Sequence, residues 1–174
     1  MENTDISRIR RDYSLTGLDE KTVDPNPFEQ FSKWMEEAIN ANVIDPSAMI
    51  LATADKNATP SVRVVLLKGI DDDGFIFYTN YDSKKGRELI ANPNASLLFF
   101  WKEFERQVRI YGKVEKVNTK QSEEYFSPDT AQPGDRNHRP LGIRQILTGL
   151  RHAVCGRTMA LRRVAFDLRT DVPR

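Results

Sequence analysis

Tyr78-Thr-Asn-Tyr-Asp-Ser-Lys-Lys85 carries the strongest chemical signal in the chain. The apolar run GFIFYTN ends there, a short loop follows, and a helical pattern begins. Ser83 is placed to cap that helix, which puts Lys84 and Lys85 in its first turn. Two cations at a helix N-terminus oppose the helix dipole, so their position needs a reason. A bound phosphate supplies one, because free backbone N–H groups, the dipole and two ammonium groups all converge on an anion. The alternative reading is a surface helix carrying two solvated lysines.

Arg63 and Lys68 are a second signal, on the Val-rich run PSVRVVLLKGI. In one regular strand, residues five apart point to opposite faces and lie about 16 Å apart. Such a pair is poorly placed to hold one phosphate: either the two serve different anions, or one of them is a rim charge. An arginine within so apolar a run is not expected to be buried unpaired. Gln107 is a third signal. In residues 106–117, Val108, Ile110 and Val114 share one strand face, and Gln107, Arg109, Tyr111 and Lys113 share the other. A glutamine amide offers donor and acceptor together, which suits the edge of a flat heterocycle, although a plain surface glutamine fits the pattern too. Arg10, Arg11, Asp12 and Tyr13 form a basic, aromatic arm able to fold over a ligand or to remain loose. Trp34 and Trp101 read as core residues, the latter also as an interface candidate. Cys155, His138 and His152 suggest no catalytic or metal role.

The elements that must hold these residues follow from pattern. Asn26-Pro27 is a helix start, with Asn as cap and Pro at the first helical position. Phe28, Phe31, Met35, Ala38 and Ile39 then give that helix one apolar face. Strands are expected at 48–54, 60–70, 74–80, 95–101 and 106–117, with turns at Lys56-Asn57 and across residues 71–74. Short helices are expected at 83–92, stopped by Pro93, and at 119–126. Residues 143–150 and 164–168 read as helix or strand. The whole is a mainly β fold, an antiparallel barrel with α additions.

With 174 residues, 39% of them hydrophobic and 29% charged, the chain has an ordinary globular composition. No run approaches the ~18–20 apolar residues of a membrane span. The charged start does not read as a signal peptide, so a cytoplasmic location is expected. One cysteine allows no internal disulfide, and with two histidines no metal centre is expected. A net charge of +1 makes no case for nucleic acid. The charge is uneven, however: residues 128–174 carry +5, with arginine as their only Lys/Arg type, against −4 for residues 1–127. Such a break marks either a basic arm for an acidic partner or a different coding origin, such as a change of reading frame. Three regions are therefore expected: an arm at 1–20, a barrel domain at 21–127, and a divergent, poorly ordered basic tail at 128–174.

Taken in order, several segments resemble the pyridoxamine (pyridoxine) 5′-phosphate oxidase family. They are Arg10-Arg-Asp-Tyr13, Asp45-Pro-Ser-Ala-Met49, Arg63-Val-Val-Leu-Leu-Lys68, Phe77-Tyr-Thr-Asn80, Ser83-Lys-Lys85, Asn92-Pro93, Glu105-Arg-Gln-Val108 and Tyr125-Phe126. The resemblance spans about residues 8–127 and implies an FMN-binding split β-barrel of Greek-key type, working as a homodimer with FMN between subunits. It implies that Arg63, Lys84 and Lys85 bind the FMN phosphate, with Tyr78 and Thr79 beside them and Val64, Val65, Leu66, Leu67 and Lys68 completing the cofactor strand. Gln107 would hydrogen-bond the flavin ring. Lys68 and Tyr125 would hold the substrate phosphate, and Arg10, Arg11, Asp12 and Tyr13 would cover the substrate. The implied reaction oxidises pyridoxamine 5′-phosphate or pyridoxine 5′-phosphate to pyridoxal 5′-phosphate, with oxygen as acceptor.

The resemblance stops where the charge changes. Asp129 falls where the family has an arginine for the substrate phosphate, and the family's later Gln-Ser, Trp-Gly-Gly and Arg-x-His elements have no counterpart. The expectation is a family member with a replaced C-terminal third. Its alternative function is a flavin- or B6-phosphate-binding barrel without turnover; a module whose basic tail binds an acidic partner is a third possibility.

Overall fold

The computed structural model describes residues 23–71 and 74–117, together with the backbone of four later strands. Helix α1 (Pro27–Asn40) is followed by β1 (Ala48–Ala54), β2 (Pro60–Leu66), β3 (Gly69–Asp71), β4 (Gly74–Asn80), α2 (Lys84–Ala91), β5 (Asn94–Trp101) and β6 (Arg106–Lys116). The later strands are β7 (Pro140–Ile146), β8 (His152–Val154), β9 (Arg157–Met159) and β10 (Ala165–Arg169). The main sheet runs β2-β1-β5-β6-β7-β4-β3, every pairing antiparallel. Long β6 is shared along one edge, its first half pairing with β10 and its second with β7. Strands β8 and β9 form a separate hairpin. The regions read as helix or strand at 143–150 and 164–168 thus contribute strands, while the helix expected at 119–126 lies outside the described residues.

One expectation is corrected here. The run expected as a single strand over 60–70 is two strands, broken at Leu67-Lys68. The break is a change of partner: the Leu67 N–H donates to Ser47 O (2.9 Å), beside β1, whereas the Lys68 N–H donates to Ile76 O (2.8 Å) on β4. Strands β2 and β3 are the two ends of the sheet path, so this two-residue link curls the sheet into a barrel. Arg63 and Lys68 consequently do not share a strand, and the alternation used to place them on opposite faces does not extend across the link.

Alternation fixes the rest. Met49, Leu51, Leu97, Phe99, Val108 and Ile110 point inward and are fully or almost fully buried, with Phe75 and Phe77 from β4. Helix α1 starts as its sequence requires: Asn26 Oδ1 accepts from the Phe28 N–H (3.0 Å) and Pro27 occupies the first turn. It inserts Phe31 into the barrel, where the ring meets Phe75 edge-on at 4.9 Å and contacts Phe99 and Trp101. Trp34 and Trp101 are both core; the Trp101 indole N–H donates to Pro46 O (2.9 Å). The Arg106 guanidinium lies 4.6 Å from the Trp34 ring and pairs with Glu37 (2.8 Å), tying α1 to the start of β6. Ile39 was expected on the apolar face and is instead 54% exposed. It lies about 80° round the helix from Phe31, past the edge of the stripe, at ~100° per residue.

Phe31 touches three aromatic rings at the barrel's centre. Phe31→Ala should therefore cost about 3–5 kcal/mol of stability, read as a lowered denaturation midpoint with an unchanged slope.

Candidate functional site

The phosphate-type signal at Ser83-Lys84-Lys85 lies at one end of the barrel. Ser83 caps α2 by accepting from the Gly86 N–H (3.1 Å), and its hydroxyl also donates to Asn80 O (2.6 Å). The buried Thr79 hydroxyl sits 3.3 Å from that of Ser83. The helix start is pressed onto the loop before it: a Cβ on Gly86 would stand 2.5 Å from Asn80 O and 2.7 Å from Tyr81 O. Both obstacles are backbone, so only glycine permits this approach.

Strand β2 supplies the opposite wall. Ser61, Arg63 and Val65 point inward, while Val62, Val64 and Leu66 point out and are 69%, 66% and 42% exposed. Together, Ser61, Val62, Arg63, Ser83, Lys84 and Lys85 line an open cleft of about 440 Å³. Three cations thus meet at a helix N-terminus, a charge pattern matched to an anion. Burial, and next the charge of Arg63, pulls the Lys85 ammonium below its usual range. The charge of an anion in the cleft would oppose this shift by favouring the ammonium form.

Glu88, one turn along α2, underlies this arrangement. Its carboxylate is 5% exposed. Oε2 accepts from the Thr53 hydroxyl (2.5 Å) and from Arg63 Nη2 (3.0 Å), and Oε1 accepts from the Ser61 hydroxyl (2.9 Å). Lys84 Nζ lies 3.7 Å from Oε1. Arg63 Nη1 donates in turn to Thr53 Oγ1 (2.5 Å), Leu51 O (3.3 Å) and Ser61 O (3.4 Å). Hydrogen bonds from Thr53 first, then from Ser61 and Arg63, outweigh burial and hold the Glu88 carboxyl down at about 2.

Of the residues expected to bind ligand, the cleft unites Arg63, Lys84 and Lys85. Thr79 lies just behind it through Ser83. Val65 and Leu67 pack against the core, and Lys68 sits in the β2–β3 link. Val64 and Leu66 lie on the outer face, and Tyr78 alternates with the inward Thr79 on β4. Gln107 is half-buried on the outer face of β6: it pairs with Phe100, and the register carries that face through Leu98 and Ile50 to Val64. It therefore faces away from Arg63. Arg10, Arg11, Asp12, Tyr13 and Tyr125 lie outside the described residues. Thr53, Ser61 and Glu88 were missed. The available signal was the inward polar pair Ser61 and Arg63, which demanded a buried partner without saying where in the chain it stood.

An antiparallel barrel curled through the β2–β3 link, with a cationic strand–turn–helix cleft at its end, defines the class as a split β-barrel. The family model described as pyridoxamine 5′-phosphate oxidase matches residues 35–147, and the chain belongs to that family. It is 48% identical over 141 residues to the pyridoxine/pyridoxamine 5′-phosphate oxidase of Paraburkholderia phytofirmans, covering 81% of this chain and 62% of that protein. The enzyme of the same name from Burkholderia thailandensis is 49% identical, with 81% and 61% covered. The chain thus spans about three fifths of the length of these curated relatives. Among solved structures, PhzG from Burkholderia lata, in complex with tetrahydrophenazine-1-carboxylic acid, superposes with a TM-score of 0.65 at 27% identity, covering 77% of this chain and 83% of that one. A pyridoxamine 5′-phosphate oxidase-related, FMN-binding protein from Nostoc punctiforme shares the fold, with a TM-score of 0.51 at 15% identity over 70% of this chain and 81% of that one. The fold is accordingly the FMN-binding split barrel.

The Glu88 carboxyl has a lower pKa folded than its ordinary 4.5. Its ionised form therefore stabilises the fold fully above about pH 4.5, and that contribution fades as pH falls toward 2. Acid titration of unfolding free energy should show a steeper loss across this window in the wild type than in Glu88→Gln. Equal slopes would mean that Glu88 is not the titrating group.

Proposed function

We propose that the chain is an FMN-dependent oxidase acting on pyridoxamine 5′-phosphate or pyridoxine 5′-phosphate. The observation that carries the reading is the meeting of Arg63, Lys84 and Lys85 at the N-terminus of α2. The donor set fits a phosphate monoester: two ammonium groups, a guanidinium and a helix start. Identity near one half to the B6-phosphate oxidases favours their substrates over the phenazine-type ligand of the more distant PhzG.

In this reading Arg63, Lys84 and Lys85 hold the FMN phosphate, and Tyr78 and Thr79 support that end of the cofactor. Bound there, FMN would supply the redox chemistry for a two-electron oxidation of the substrate carbon that bears the amine or alcohol, with oxygen as the final acceptor. Lys68 and Tyr125 hold the substrate phosphate, and Arg10, Arg11, Asp12 and Tyr13 cover the substrate. Gln107 addresses the flavin ring. Because Gln107 and Arg63 lie on opposite faces, the reading takes them from different subunits of a homodimer. The exposed apolar row Ile50, Val62, Val64 and Leu66 supports this, since monomers rarely leave such a patch in water. Asp129, where the family has a phosphate-binding arginine, favours the second reading, a flavin-binding barrel without turnover. Formation of hydrogen peroxide from pyridoxine 5′-phosphate by the FMN-loaded protein separates the two.

Each charge-assisted phosphate contact is worth about 1.5–3 kcal/mol, or roughly ten- to a hundredfold in affinity. Lys84→Ala with Lys85→Ala should weaken FMN binding at least to that extent while leaving riboflavin, which lacks the phosphate, unaffected. Flavin fluorescence titration reads both, and unchanged FMN affinity would remove the phosphate assignment. Separately, Val64→Asp should convert a dimer to a monomer in light scattering after gel filtration; a wild-type protein already monomeric would rule out the shared site.

A further inference from the structure

We propose that Glu88 is the positioning residue of the cleft: it aims the Arg63 guanidinium at the ligand phosphate without touching the ligand itself. The inference rests on the reading of the cleft as a phosphate site and deepens it.

Glu88 does not line the cleft; Arg63 does. The carboxylate lies behind the guanidinium, its side chain 6% exposed against 20% for Arg63. An arginine side chain has four rotatable torsions and five N–H donors in a rigid fork, so its direction is set by whatever those donors meet. Here Nη1 is taken by Thr53 Oγ1, Leu51 O and Ser61 O, and one Nη2 hydrogen by Glu88 Oε2. The fork is thereby held by these acceptors while Arg63 itself lines the cleft. Glu88 also receives the hydroxyls of Thr53 and Ser61, two of the groups that surround Arg63, so one carboxylate orders the whole set. The titratable and charged groups facing it are Arg63 from β2, Lys84 from its own helix and, as a like charge, Asp55 just after β1.

A carboxylate near a phosphate site could instead act as a repelling charge, and the two roles predict opposite results. Glu88→Asp keeps the charge but shortens the reach to Arg63. Glu88→Gln keeps the reach and an acceptor but removes the charge. If Glu88 positions Arg63, Glu88→Asp weakens FMN binding about tenfold, the scale of one charge-assisted hydrogen bond. Riboflavin affinity is unchanged, and Glu88→Gln stays within about threefold of wild type for FMN, or about 0.65 kcal/mol. In an Arg63→Ala background, Glu88→Asp adds no further loss, because the residue through which it acts is gone. The proposal is overturned if Glu88→Asp binds FMN like wild type, if its loss persists undiminished without Arg63, or if Glu88→Gln tightens FMN binding. That last outcome is read even if Glu88→Asp does not fold. Should Arg63→Ala itself leave FMN affinity untouched, the phosphate reading falls and this proposal with it; failure of Glu88→Asp alone, beside a clear Arg63→Ala loss, overturns the positioning role only.

Discussion

Strands β2 and β3 stand at opposite ends of the sheet path yet are joined by two residues. A flat sheet of that order is impossible with so short a link, so the sheet must curl until its ends meet. Closure sets everything that follows. It divides each strand into an inner and an outer face and gives the inner face a volume for Phe31 and its aromatic neighbours to fill. It also forces Arg63 inward, because Val62 and Val64 on either side of it alternate outward.

An inward arginine carries a penalty unless paired, and the barrel meets it at its end rather than in its middle. Thr53 Oγ1, Ser61 O and the Glu88 carboxylate supply acceptors from three different elements, β1, β2 and α2. The cluster that makes the inward charge tolerable is also what leaves it pointing at a cleft. Breaking a buried pair of this kind is far more harmful than never having built it, since one charge is then left without its partner. Stability and the proposed ligand binding therefore draw on the same few hydrogen bonds, and the lowered pKa of Glu88 reflects how they favour the ionised form.

The outer face has a different logic. Ile50, Val62, Val64 and Leu66 form an apolar row continuous in register with Leu98, Phe100 and Gln107. A side chain with both a donor and an acceptor at the edge of an apolar surface is suited to a ligand shared across two subunits. The interior cleft and the outer face are thus two halves of one proposed site, divided by the thickness of a strand.

Local pattern determined the elements. Capping residues, alternation and turn chemistry placed α1, β1, β4 and α2 to within a residue, since those signals lie within a few positions of one another. The pairing of Lys84 and Lys85 with a helix start was legible for the same reason, and the ordered motifs were enough to indicate the family. What sequence could not show was any effect of distant parts meeting. The split of residues 60–70 into β2 and β3 depends on which neighbours each half bonds, and propensity is blind to neighbours. The exposure of Ile39 depends on the width of the surface that α1 covers. Glu88 stands 25 residues from Arg63, with no local pattern that links the two; only closure of the barrel brings α2 against β2 and turns it into the partner of a buried charge. Sequence alone therefore determined the elements and the cationic turn, because their causes are local. Tertiary structure decided the faces, the partner of Arg63 and the cleft, because burial and ion pairing exist only once the ends of the sheet have met.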